Sequence, residues 1–175
     1  MKRMSALLLV AVLAPLSALA ADYPIKDKPI TIVVPFAAGG PTDRVARDLA
    51  ESMRKPLGAM SVVIDNVGGA GGTLGAAKAA RSTPDGHTLF LHHIGMATSP
   101  ALYRNMPYKP ENLIPVSDII ATPNVLVVHP SVPAKTVPEF VAWLKAQNGK
   151  ASYASSGTGQ SPHLSGAWFL QLTGT

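Results

Sequence analysis

The sequence predicts an α/β fold with mostly parallel strands, and three observations predict it. Short β-branched runs such as Ile30-Thr31-Ile32-Val33-Val34 and Ser61-Val62-Val63-Ile64 are continuously apolar, as strands buried on both faces are. Each run is followed by a loop of glycines and other small residues, then by a segment with helical periodicity. Runs and helical segments alternate along the chain, the order in which helices cover both faces of a parallel sheet.

The elements follow in order. After Ile30–Val34 and the loop Pro35 to Pro41, a helix is expected from Thr42 to Lys55, with Val45, Leu49 and Met53 on its apolar face and Gly58 at its end. A second unit runs through Ser61–Ile64, the loop Asp65 to Thr73, and a short helix to Ala80 with Thr73 as N-cap. Pro84-Asp85-Gly86 makes a turn into a third strand, His87 to His92. Prolines at 100, 107, 110, 115 and 123 then break the chain into loops, with a short helix around Ala101 and a strand near Val116–Ala121. Val125–Val128 reads as another strand, and Pro130–Pro133 as the crossing to a second lobe. There Thr136-Val137-Pro138-Glu139 opens a helix whose apolar stripe is Phe140, Trp143 and Leu144. Ala151–Ala154 is a further strand, followed by the loop Ser155 to Pro162 and a helix from His163. One strand cannot form a sheet, so the second lobe is expected to be incomplete at Thr175.

The first residues carry an export pattern. Lys2 and Arg3 precede an apolar run from Leu7, and Ala18-Leu19-Ala20 supplies small residues for cleavage after Ala20. The apolar stretch from Ser5 is shorter than the roughly 20 residues that span a bilayer. The expected organisation is a signal peptide at 1–20, a first α/β lobe at 21–130 and the start of a second lobe at 131–175. Cysteine is absent, which excludes both disulfides and a lipid-modified cysteine and leaves a protein released into the periplasm. The 15 basic residues exceed the 10 acidic ones only mildly and are scattered. Nucleic-acid binding is not expected, since no basic stripe with interleaved aromatics is present. A modest positive field suits a small anion.

Three loop-to-helix junctions could hold such an anion. A helix N-terminus presents unpaired N–H groups, its dipole favours negative charge, and small residues before it let a ligand approach the backbone. In the loop Phe36 to Asp43 the candidate donors are the amides of Ala38, Gly39 and Gly40 and the Thr42 hydroxyl. Asp43 suits the dipole as a first-turn acid and is kept among the ligand-binding candidates. At the end of the third strand the candidates are His92 and His93 with Gly95, Met96, Ala97 and Thr98. In the second lobe they are Ser156, Gly157, Ser161 and His163.

Other chemistries fit less well. A dinucleotide fingerprint beginning at Gly69 has Leu74 where its last glycine belongs, and no ribose-binding acid follows the next strand. No metal spacing is completed, and His87 and His129 are read as structural. An exported α/β serine hydrolase using Ser161 and His163 is the alternative function. Its elbow, Gly159-Gln160-Ser161-Pro162-His163, has His in place of the second glycine, and Pro162 removes an oxyanion-hole N–H. No enzyme activity is expected.

Pro35-Phe36-Ala37-Ala38-Gly39-Gly40-Pro41-Thr42-Asp43 resembles the signature loop of the tripartite tricarboxylate transporter receptors, the Bug solute-binding proteins. Asn66 with Gly68–Gly75, Pro84 to Leu89, Pro100-Ala101-Leu102-Tyr103, Asn124 through Pro133, Tyr153 to Gly157 and Ser161-Pro162-His163-Leu164 continue the resemblance in order. The resemblance implies a two-lobed type II periplasmic-binding fold with a di- or tricarboxylate, acidic amino acid or related acid in its cleft. It implies that the loops Phe36–Asp43 and Ser156–His163 hold the ligand, partly through ordered waters, and that members continue beyond Thr175. It also implies docking on membrane permease subunits, no cofactor, and a monomer when complete. Val67-Gly68 stands where many relatives have Arg-Pro, and His92-His93-Ile94 replaces smaller residues, so the exact acid stays open.

Overall fold

A computed structural model describes residues 23–58 and 60–175; the signal peptide expected at 1–20 lies outside them. Three parallel strands form the sheet, β1 (Ile30–Val34), β2 (Val62–Asn66) and β3 (Thr88–Phe90), in the order β2-β1-β3. Ile30 pairs with Val62 and Thr31 with Thr88, which makes β1 the central strand. Its side chains are almost wholly buried, which is why its sequence is apolar without alternation.

Helix α1 (Pro41–Arg54) covers one face. Ile32 and Val34 pack there on Ala46 and Ala50, with Leu49, Met53, Val62, Ile64, Leu89 and Leu91 around them. Burying one aliphatic side chain of this kind contributes about 1.5–3 kcal/mol. The buried line of α1 therefore centres on Ala46 and Ala50, a small-residue groove into which β1 side chains fit. The expected stripe of Val45, Leu49 and Met53 is only half-buried along its edge. Helix α2 (Thr73–Ala80) covers the other face, where Ala76, Ala77 and Tyr108 join Phe90, Met106 and Leu113.

Local chemistry sets the boundaries. Gly72, at φ 93°, is the N-cap of α2 in place of Thr73, whose hydroxyl donates back to the Ala70 carbonyl (3.0 Å). In the turn before β3, the Asp85 carboxylate accepts from the His87 amide (2.9 Å) and pairs with Lys28. Ile25 N–H donates to His87 Nε2 (3.0 Å), so the ring proton sits on Nδ1 and faces the Pro29 carbonyl (3.2 Å). His87 is thus the structural clip that sequence reasoning expected.

Helix α3 (Gly95–Leu102) follows β3, and α4 (Val137–Ala146) and α5 (Ser161–Thr173) close the chain. Thr136 and Glu139 form a reciprocal capping box on α4, with Pro138 in the first turn. Phe140 stacks on Trp143 (5.8 Å) and meets Phe169 of α5 (6.0 Å). This apolar stripe is half-buried only.

The strands expected at Val116–Ala121, Val125–Val128 and Ala151–Ala154 do not form. Their side chains are largely exposed, Val116 at 88% and Val127 at 81%. A strand is defined by a hydrogen-bonded neighbour, and among the described residues no strand lies beside these segments.

One glycine illustrates how tightly α2 sits on the sheet. A Cβ at Gly75 would lie 2.8 Å from Pro35 Cβ and 2.9 Å from the Val67 carbonyl oxygen. Helix propensity favours alanine over glycine by about 1 kcal/mol, whereas overpacking costs about 1–3 kcal/mol. The contact is with backbone, which cannot rotate away, so the steric effect wins. Gly75→Ala is expected to destabilise the fold by about 1–2 kcal/mol in urea unfolding; a gain in stability would show that the Pro35 turn yields.

Candidate functional site

All three strands point the same way, so the loops after β1, β2 and β3 gather at one edge of the sheet, where open α/β proteins take ligands. Phe36, just beyond β1, stacks on the His93 ring (centroids 4.8 Å apart, 3° between planes) and meets His92 edge-on at 5.4 Å. His92 also contacts Phe90 and His93 edge-on. Gly72 and Gly68 belong to the loop after β2. A Cβ at Gly72 would lie 2.9 Å from His92 Nε2, and one at Gly68 would lie 3.9 Å from the Phe36 backbone.

Burial lowers the His92 pKa to about 3, with His93 beside it adding to the effect. Burial also lowers that of His93. Both rings are therefore neutral near pH 7, and the Nδ1 atom of each is buried without a partner. They offer hydrogen-bonding groups and shape, not positive charge.

The Phe36–Asp43 loop is held from within. Asp43 is 2% exposed, and its carboxylate accepts from Gly39 N–H (2.8 Å), from Arg47 Nε (2.9 Å) and Nη2 (3.1 Å), and from Asn66 Nδ2 (3.1 Å). The Arg47 guanidinium, followed by the Gly39 amide, holds the Asp43 pKa down at about 2. Asn66 Nδ2 also donates to the Phe36 carbonyl (3.1 Å), tying the end of β2 to the loop after β1. Asp43 is thus a staple of the loop, its oxygens engaged inside the chain.

Two of the expected donors change role for the same reason. Gly39 N–H is held by Asp43, and Gly40 N–H donates to the Ala37 carbonyl (3.3 Å). The amides of this segment that remain without an intrachain bond are those of Phe36, Ala37, Ala38, Thr42 and Asp43, since Pro41 has no N–H. Gly39 sits at φ 79°, and a Cβ there would meet nothing within 4 Å, so open space faces this backbone.

The loop Ser155 to Pro162 docks on the loop after β2 at Gly71 and on α3. Gln160, the N-cap of α5, is fully buried, and its Nε2 donates to the Gly71 carbonyl (2.6 Å). Thr98 Oγ1 donates to the Gly159 carbonyl (2.7 Å), and Tyr103 OH to that of Thr158 (3.3 Å). A Cβ at Gly157 would lie 3.1 Å from Gly71 Cα. Gly95, first residue of α3, lies under the Gln160 amide, while Met96 and Ala97 continue that first turn. Contacts between the loops Phe36–Asp43 and Ser156–His163 therefore run through Gly68–Gly72. Sequence reasoning did not single out Gln160, Gly71 or Tyr103 as connecting residues. The dense glycines of 68–75 and 157–159 were the available signal, since close backbone approach requires them.

Ser161 and His163 do not form a nucleophile and base. Ser161 Oγ donates to Asn124 Oδ1 (3.2 Å), and His163 Nδ1 accepts from Gly159 N–H (3.2 Å). Ser156 is exposed in the same loop. Among the described residues no group of three or more His, Cys, Asp or Glu could hold a metal ion, and no helix is long and apolar enough to cross a membrane. Two open concavities lie elsewhere, one along α1 and β2 around Arg47 and Arg54, the other at the amino ends of β1 and β3 around Lys28 and His87. Neither includes a residue of the loop cluster.

Comparison with known proteins finds relatives of the same fold. An Agrobacterium vitis protein of the UPF0065 group is 44% identical over 175 residues, covering 99% of this chain and 50% of its own length. The periplasmic binding protein BugD superposes with a TM-score of 0.74 at 40% identity, over 86% of this chain and 50% of its own. MatC from Rhodopseudomonas palustris with bound malate gives 0.78 at 35% identity, over 86% and 52%. An R. palustris protein with adipate gives 0.78 at 32% identity, over 88% and 51%. The chain spans about half the length of these relatives. A family model described as the tripartite tricarboxylate transporter family receptor matches residues 45–175. The chain belongs to that receptor family.

Proposed function

We propose that this protein is the periplasmic receptor of a tripartite tricarboxylate-type transporter. It captures a small carboxylate, such as a di- or tricarboxylate or an acidic amino acid, and hands it as a monomer to membrane permease subunits. One observation carries the reading: at the carboxyl edge of the sheet, a helix start without a side-chain cap, where the amides of Ala38 and Thr42 have no intrachain partner, lies beside open space at Gly39. Such amides hold a carboxylate without a cationic side chain. Arg47, the nearby guanidinium, is occupied by Asp43. The malate and adipate seen in two structural neighbours are acids of this kind.

Calorimetric titration of a full-length protein that carries these residues and spans the length of its relatives, with malate, adipate, citrate and glutamate, tests the proposal. At least one is expected to bind one to one. Gly39→Val is expected to cut affinity more than about tenfold, because it places a branched side chain at φ 79° into the space beside the free amides. Failure of all four acids to bind, or normal binding by Gly39→Val, would overturn the reading.

A further inference from the structure

Among the described residues, Gln160 is the one buried polar side chain that joins the two parts of the candidate site. It is fully buried, lies on Gly95 at the start of α3, and reaches the carbonyl of a residue 89 positions away. Its contacts are specific on both sides. A Cβ at Gly95 would lie 2.4 Å from Gln160 Nε2, so the amide keeps this seat only over a glycine, and one at Gly71 would lie 3.0 Å from the Thr158 carbonyl of the same loop. Its amide is only half satisfied, however. Nε2 donates to Gly71, while Oε1 is buried with no partner. A buried unpaired acceptor disfavours the closed arrangement, and opening to water satisfies both ends of the amide. The contact is therefore directional and easily released.

We propose that Gln160 is a releasable latch, a positioning residue whose side-chain amide holds the Ser155–Pro162 loop on the first-lobe loop at Gly71. By doing so it sets the spacing between the loops that receive the ligand; this second role rests on the carboxylate-receptor reading, whereas the latch itself does not. The neighbouring tethers, Thr98 to Gly159 and Tyr103 to Thr158, hold the same loop from α3 and from the chain just after it. Neither reaches the Gly71 carbonyl, which Gln160 alone engages among the described residues.

Hydrogen exchange of the ligand-free protein tests the latch. Gln160→Met keeps the packing over Gly95 but removes the donor, and Gln160→Glu turns an acceptor toward the Gly71 carbonyl. Both are expected to exchange roughly tenfold faster at 69–72, 95–98 and 155–160 while the amides of β1–β3 keep their protection. Gly95→Ala, which pushes the Gln160 amide aside, is expected to give the same local pattern without altering Gln160. With malate as the probe, the dissociation rate of Gln160→Met is expected to rise more than its association rate falls, which a general loss of stability would not produce. Wild-type exchange in Gln160→Met, or acceleration spread evenly over β1–β3, would overturn the latch. If malate, adipate, citrate and glutamate all fail to bind the wild type, the receptor reading falls, and the exchange pattern still decides whether Gln160 latches the loop.

Discussion

Between pH 7 and pH 4 the fold is expected to lose about 3 kcal/mol of stability through one side chain, His92. Burial between Phe36, Phe90 and His93 lowers its pKa from 6.5 to about 3 in the folded protein. Between those values the unfolded chain binds a proton that the folded chain refuses, so stability rises with pH across this window. It is fully present above about 6.5 and falls continuously toward 3. His93, lowered by its own burial, acts in the same direction. Asp43 acts in a separate window. Its folded pKa is lowered to about 2, so its contribution persists down to about pH 4 and is lost only below that. Urea midpoints of wild type and His92→Leu at pH 7 and pH 4.5 separate the two. The variant should lose most of the slope, and a variant as acid-sensitive as wild type would refute the assignment.

The largest effect on binding is expected from Asp43→Ala, and its sign is the informative part. Bare electrostatics says that removing an anion near a carboxylate site should improve binding. Arg47 already neutralises Asp43 at 2.9 Å, so that gain is small. Against it stands the loss of the acceptor for Gly39 N–H, Arg47 and Asn66 together, which frees the loop that must present its amides in fixed directions. Malate affinity should therefore fall by at least roughly tenfold, with faster exchange at 37–40. Asp43→Asn should do little better, because its amide would turn a donor toward other donors. Tighter binding by Asp43→Ala would refute the staple.

What could be read in the sequence was local or topological. β1, β2, α1 and α2 each carry their own pattern within a few residues, and the parallel order of strands places their following loops at one edge whatever the side chains. The strand end at His92 and His93 could be placed at that edge in this way, whereas the stacking of Phe36 on His93 could not. The misses were non-local. Val125-Leu126-Val127-Val128 has the composition of a strand, but composition reports fitness for a pleated surface and not the presence of a neighbour. Asp43 and Arg47 announce themselves as a helix pair four residues apart. The turn back to Gly39 and across to Asn66 does not. Gln160 stands in a loop with no periodicity, and its partner Gly71 lies too far along the chain for any pattern to link them.

The central position of β1 has a consequence for folding. Its first partner, β2, follows after one helix, but its second, β3, lies beyond α2 and the turn at Pro84–Gly86. Until β3 pairs, β1 has one edge open and one face incompletely covered, since α2, which covers it, also docks on β3. Unpaired apolar edges recruit other strands. The interval before Thr88-Leu89-Phe90 joins the sheet is therefore the stage at which this chain is most exposed to wrong pairing, and the docking of those three residues ends it.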